Sequence, residues 1–300
     1  MVLPIETRHI LIWLLVFGFL SRDLSTQQIE TVCWKRDWRA RPLFAFLVFL
    51  PIFLMAVFGR SHSDLLIYLR IFRSFPLDLS AGIQNIIKAT EPGFSALIFL
   101  IKRLFGTNPT TFRLFVALIH TLPVVLVLRK YSVDYVYSVF LFIAFNHHQA
   151  WMMNGLRQFI AVTLIFASTP WIIRGDMLKP ILVVLFASLF HRTALFFIPV
   201  IIIVRGEIWN RKTILFIFLT VAAMFFFDQN KGLFDELARS FGYSLSYVKG
   251  TGDEGANPVR MLVHAVPMAL AFTYREQLKR DNDPVINLCV NMSVIQQGFI

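Results

Sequence analysis

Ten apolar runs follow one another along this 300-residue chain, at 8–21, 42–59, 112–128, 133–149, 157–173, 179–190, 193–204, 212–227, 259–274 and 284–300. A soluble core of this size cannot hide them. Hydrophobic residues are 57% of the chain, Phe alone occurs 32 times, and charged residues are only 16%, against about 25% in ordinary soluble domains. The chain therefore reads as an integral membrane protein. Lipid offers the backbone no hydrogen-bond partners, so apolar runs of this kind must be helices. The expected fold class is all-α: a polytopic membrane helix bundle of about ten spans. Several runs are shorter than the roughly 20 residues a straight span needs. No repeat, low-complexity tract or Gly/Ser linker divides the chain, so residues 1–300 read as one transmembrane domain. The first run is followed by Ser21-Arg22-Asp23, which is not a small-residue cleavage site, and it reads as an anchor helix.

Charge placement gives an orientation. The balance of 29 basic and 18 acidic residues leaves a net charge of +11. On a membrane chain this excess belongs to cytoplasmic loops facing anionic lipid, not to nucleic-acid binding. The cations cluster in the loop 21–41 (Arg22, Lys35, Arg36, Arg39, Arg41), then at Arg129-Lys130, at Arg174 and Lys179, at Arg205, Arg211 and Lys212, and at Arg275, Lys279 and Arg280. With all five loops cytoplasmic, the chain crosses an even number of times between 41 and 129. Segment 94–105 then does not cross, and reads as a helix lying in the outer interface. The same parity makes 179–204 a hairpin of two short helices meeting at His191-Arg192; the competing reading is one long span with that pair at its centre. The N-terminus falls outside, as do the loops 60–111 and 228–258. Cys33 and Cys289 imply no disulfide framework.

Four arginines sit on the wrong side of this pattern. Arg113, Arg157, Arg192 and Arg260 each open an inward-running helix at its outer end. The positive-inside bias disfavours them there, and so does the helix dipole, by roughly 0.3–1 kcal/mol each. Thr111, Asn154 and Asn257-Pro258 supply cap signals just ahead of three of them. Such a set makes sense as the receptor of a multivalent anion at the outer leaflet, a lipid-linked phosphate or pyrophosphate. Taken singly, each arginine reads better as a side chain snorkelling to headgroup phosphates; it is the set that points to a ligand.

The acids on that side are few. Arg60, Asp64 and Tyr68 are spaced i, i+4, i+8 and share a face if helical. Asp64 can serve as a general base toward a sugar hydroxyl; the alternative is a plain Arg60–Asp64 ion pair. Glu91 precedes a Pro92-Gly93 turn and is either a second site acid or an exposed loop charge. His191-Arg192 interrupts apolar sequence, which marks a site or a polar hairpin tip. His62 lacks partner ligands, His147-His148 diverge on a helix, and no metal site is expected. Phosphate-binding Gly-rich loops, nucleophilic Ser motifs and ATPase signatures are absent from the sequence, and no cofactor is expected.

At these residues the sequence resembles the EpsG-type, Wzy-like polysaccharide polymerases. The matching stretches are Arg60-x3-Asp64-x3-Tyr68, Glu91-Pro92-Gly93-Phe94, Arg157-Gln158-x2-Ala161 and Phe190-His191-x2-Ala194, in that order. Leu65 stands where the family often has an aromatic, and Thr193 replaces a usual Ser. More loosely, the chain is similar to the GT-C membrane glycosyltransferases, whose first outer loop carries an acid and interfacial helices. The resemblance implies further helices beyond residue 300.

What the resemblance implies is a glycosyltransferase in the bacterial inner membrane, active at its periplasmic or outer face. It would join undecaprenyl-pyrophosphate-linked oligosaccharide repeats. Asp64 would be the base or acceptor-orienting acid. Arg157 and Arg192, helped by Arg60, would hold the donor phosphate, and Gln158, His191 and Glu91 would position sugar or phosphate. Tyr68, Arg113 and Arg260 complete the expected substrate-binding set. A chain-length regulator is an implied partner beside the lipid-linked glycan and the membrane. Rival readings are a GT-C transferase with a polyprenyl-monophosphate donor, a lipid-linked oligosaccharide transporter, and an inactive membrane scaffold.

Overall fold

A computed structural model describes residues 12–14, 18, 26–28, 38–59, 63–144, 152, 154–229, 236 and 258–297. The chain divides into two compact units, residues 1–198 and 199–300. Nearly all of it is helical. Among the described residues the strands are a small antiparallel hairpin, β1 (Thr26–Gln28) with β2 (Trp38–Ala40), in register Thr26↔Ala40. It lies in the stretch read from sequence as a basic loop.

In the first unit, helix α1 (Pro42–Phe58) starts with Pro at its first position, where a missing N–H costs nothing. Its residues Phe44, Ala45, Val48, Phe49 and Ile52 are buried, a stripe at helical spacing that packs on α5. Three shorter helices follow: α2 (Ser63–Ser74), α3 (Leu79–Lys88) and α4 (Pro92–Phe105). At about 1.5 Å per residue, none reaches the roughly 30 Å of a hydrocarbon core. They fold together into a helical cap. Leu65, Tyr68, Leu69, Phe72, Phe94, Ile98 and Phe112 share its core, and the Phe72 and Phe112 rings stack at 4.8 Å.

Helix α5 (Pro109–Tyr131) is the central element of this unit. Asn108 caps it, its Oδ1 accepting from the Thr110 N–H at 2.9 Å. The cap expected at Thr111 is instead inside the helix, because Asn108-Pro109 is the stronger start. At its far end Arg129 Nε donates to the Ala40 carbonyl at 2.8 Å. Helix α6 (Tyr135–Ala144) packs beside it, and the Tyr135 hydroxyl donates to the Ala45 carbonyl at 2.7 Å.

Helix α7 (Leu156–Ala167) continues through the short α8 (Thr169–Ile173) and stops at Gly175, whose φ of 80° suits a residue without Cβ. Its N-cap is Gly155, not Asn154 as the sequence suggested; the Asn154 Oδ1 makes no capping bond. Helix α9 (Leu178–Ser188) ends in a turn at Leu189 and Phe190, His191 is extended, and a 3-10 turn follows over Arg192–Phe196. The helix therefore breaks at His191, and one continuous helix over 179–204 is excluded.

The first residues of α10 (Phe197–Val204) close the first unit and the rest open the second, which holds α11 (Arg211–Gln229), α12 (Pro258–Thr273), α13 (Arg275–Asp281) and α14 (Pro284–Gln297). Asn291, fully buried on α14, donates to the carbonyls of Val204, Gly206 and Glu207 and fixes the turn before α11.

By length and composition, Pro109–Tyr131 and Leu156–Ile173 are apolar and long enough to cross a membrane. Pro42–Phe58, Tyr135–Ala144, Leu178–Ser188, Arg192–Val204 and Leu262–Thr273 are shorter apolar helices. A described helix lies in each apolar run from 42–59 onward, whereas α2, α3, α4 and α13 fall between the runs. Most of run 8–21, residues 145–149 and most of the loop 228–258 lie outside the described residues.

Candidate functional site

The Glu91 carboxylate is the centre of the site. Glu91 is 9% exposed and stands at the N-cap of α4. A carboxylate there would ordinarily accept from the first-turn N–H groups. This one makes no cap bond. Instead Oε2 accepts from Arg157 Nη1, and Oε1 pairs with His191 Nδ1 at 2.7 Å. The partners are 66 and 100 residues away in sequence. With Nδ1–H donating to Glu91, Nε2 is the ring nitrogen left for a substrate. Burial pushes the Glu91 carboxyl up. The His191 hydrogen bond, the Arg157 charge and the His191 charge outweigh it, so the group sits below its ordinary value of 4.5.

Each letter of the Glu-Pro-Gly-Phe stretch has a physical reason here. Pro92 takes the first helical position of α4. The Gly93 N–H donates to the Leu189 carbonyl at 2.9 Å, and a Cβ on Gly93 would stand 2.9 Å from Leu189 Cβ and 3.0 Å from its carbonyl carbon and oxygen. Only glycine lets α4 and the turn before His191 approach this closely, and that approach brings Glu91 to His191. Phe94 is buried under the Arg157 guanidinium, 6.0 Å from carbon to ring centre, and meets Tyr68 edge-on at 5.5 Å.

Tyr68 is buried on α2, and its ring lies 5.5 Å from the Arg157 guanidinium carbon. Arg157 thus rests on two aromatic faces, an arrangement that favours a planar cation. Its side chain is 42% exposed, so the guanidinium keeps an open edge beyond its bond to Glu91. Asp64 lies one helical turn before Tyr68 on α2, half-buried. Gln158 is half-buried, next to Arg157 on α7. Ala161 and Ala194 are buried small residues where α7 meets the 3-10 turn.

The four outer arginines separate. Arg192 joins the Glu91 turn, its Nε donating to the Thr90 carbonyl at 3.3 Å. Arg157 and Arg192 therefore converge on residues 90 and 91. Arg113 is engaged elsewhere: Nη2 donates to the carbonyls of Ala56 at 3.1 Å and Gly59 at 2.7 Å. Those are carbonyls at the C-terminal end of α1, left without helical partners, and Arg113 caps them. Helix α12 is described from Pro258, and the Asn257 cap expected ahead of it lies outside the described residues, as do the side chain of Arg260 and residues Arg60 and His62.

One cation escaped the sequence reading. Lys102 lies on the interfacial helix α4 and is 5% exposed; its Nζ donates to the carbonyls of Arg73 at 2.7 Å and Phe75 at 2.5 Å. It fastens α4 to the end of α2. Among the described residues no cluster of His, Cys, Asp and Glu could hold a metal ion.

Fold and site together define a helical membrane protein with an arginine and a histidine gathered on one buried acid. A family model described as the EpsG family matches residues 43–299, and the chain belongs to that family. Family and apolar helices together make it a polysaccharide-polymerase-like membrane protein. No curated protein and no solved structure matches the chain.

Proposed function

We propose that this protein is a bacterial surface polysaccharide polymerase that joins undecaprenyl-pyrophosphate-linked oligosaccharide repeats at the outer face of the inner membrane. In the reaction, the bond between the donor sugar C1 and its phosphate oxygen breaks, and a bond from C1 to an acceptor hydroxyl oxygen forms. The hydroxyl proton passes to the Asp64 carboxylate, and the bonding pair leaves on the lipid pyrophosphate. The leaving group is already activated, so the residues need only stabilise its charge and accept one proton. Arg157 and Arg192 bind the departing phosphate, His191 Nε2 meets a phosphate or sugar oxygen, and Gln158 orients the sugar. Glu91 holds Arg157 and His191 in place without touching substrate. Ten spans in a GT-C-like arrangement, with the α2–α4 cap in the outer interface, complete this reading.

The observation that carries it is the convergence of Arg157, Arg192 and His191 on the turn at residues 90–91, beside the helix that bears Asp64. The test is Asp64→Asn in a deletion strain. Long glycan chains should vanish while single repeats and the membrane level of the protein persist; normal long chains sink the proposal.

The engagement of Arg113 favours a second reading. With Arg113 on α1 carbonyls and Glu91 offsetting one charge, the site carries fewer cations than the sequence offered. That suits a GT-C transferase with a polyprenyl-monophosphate donor. Purified protein given each donor decides between them.

A further inference from the structure

Helix α5 carries an imidazole on its buried apolar face. His120 is 1% exposed, in line with the buried residues Phe112, Val116 and Val124 on the same helix. Burying a polar ring in such surroundings is costly unless its hydrogen bonds are met, and an ionisable residue within a membrane segment calls for a functional reason. His120 is only half satisfied. Nε2 lies 3.3 Å from the Leu156 carbonyl oxygen, whereas Nδ1 is buried without a partner. A carbonyl only accepts, so Nε2 bears the proton and the bare Nδ1 is the acceptor. Whatever offsets the cost must come through the one bond that is made.

That bond falls at a telling place. Leu156 is the first residue of α7, and its carbonyl belongs to the peptide whose nitrogen is that of Arg157. The same imidazole meets the Phe159 ring edge-on at 4.9 Å. His120 thus holds α7 on both sides of Arg157. Helix α7 needs the support, because Gly155 gives its first turn no side-chain cap. A guanidinium stands about 6 Å from a helix axis, so a rotation of roughly 15° would carry it about 1.5 Å. Displacements of about 1 Å at a reacting group can cost on the order of a hundredfold in rate.

We infer that His120 is a positioning residue for Arg157: its Nε2–H, bonded to the Leu156 carbonyl, sets the rotation of α7 that aims the guanidinium at the donor phosphate. The inference rests on the reading of Arg157 as a donor-phosphate ligand.

The test uses the full chain in nanodiscs, with undecaprenyl pyrophosphate as the probe, and measures affinity and melting temperature for single and double variants. His120→Leu should weaken binding at least fivefold. His120→Gln, whose amide nitrogen reaches the place of Nε2, should return it to within twofold of wild type, and His120→Asn, one methylene shorter, should not. His120→Leu combined with Arg157→Ala should bind no worse than Arg157→Ala alone, since the first acts through the second. Wild-type affinity in His120→Leu overturns the inference, as does equal binding by the Gln and Asn variants or full additivity in the double variant. If His120→Leu does not fold, the Gln–Asn comparison decides alone. If Arg157→Ala itself binds the lipid like wild type, the donor-phosphate reading fails and this inference falls with it. Loss of the Arg157 effect and loss of the His120 effect are separate results.

Discussion

Replacing Glu91 by Gln keeps the shape of the side chain and removes its charge. The Oε1 side can still accept a hydrogen bond, but the amide nitrogen now turns two N–H donors toward Arg157 or His191, which are donors themselves. Two charge-assisted bonds are lost, each about 1.5–3 kcal/mol when well shielded. Arg157 is 42% exposed and His191 26%, so solvent screening reduces the total to about 2 kcal/mol. If that stabilisation is carried into the transition state, extension slows about 30-fold, at roughly 1.4 kcal/mol per decade. The assay is the chain-length distribution of surface glycan in a complemented deletion strain, with protein level measured in the membrane fraction. The variant should be present at normal level and yield short chains. Melting in detergent gives a second reading. Glu91 sits below its ordinary 4.5, so its contribution to stability is full above that value and is lost as pH falls through the lowered one. Glu91→Gln should therefore lower the melting temperature at pH 7 and lose the drop expected of wild type as pH falls below about 4.5. Wild-type chain lengths together with wild-type melting would refute the role of Glu91 as the hub.

Gly93→Ala forces its new Cβ against Leu189 and should destabilise the protein by about 1–3 kcal/mol, the range for overpacking; unchanged melting would show that the turn yields freely. Arg157→Lys keeps a charge but loses the planar fork that rests on Tyr68 and Phe94, and a fall in extension of about tenfold or more is expected in the same gel assay. Lys102→Met removes the donor to the Arg73 and Phe75 carbonyls, and a melting temperature lowered by several degrees should accompany it. For orientation, Gln84→Cys places a thiol on an exposed position of α3; an impermeant thiol reagent should label it in intact cells, and labelling only after lysis would invert the proposed topology.

Sequence by itself determined the class of the molecule. Apolar runs fix membrane helices because lipid leaves the backbone no other partner, and the runs from 42–59 onward each hold a described helix, while α2, α3, α4 and α13 lie between them. It also placed the helix break at His191. The ordered motifs singled out Tyr68, Glu91, Arg157 and His191, which the structure gathers. The tertiary structure alone decided what each of them does. Arg113 and Arg157 look alike in sequence, each a cation opening an apolar helix, yet one caps α1 and the other grips Glu91. Glu91 read as either a second site acid or an exposed loop charge, and the structure buries it; Lys102, which the sequence did not single out, is buried too. These outcomes depend on bonds between residues 27 to 100 positions apart, and nothing in local periodicity records which distant carbonyl or carboxylate a side chain will meet. Local pattern sets the helix and its apolar face, whereas the fate of a charge is set by whichever polar group the packing of the helices brings within about 3 Å.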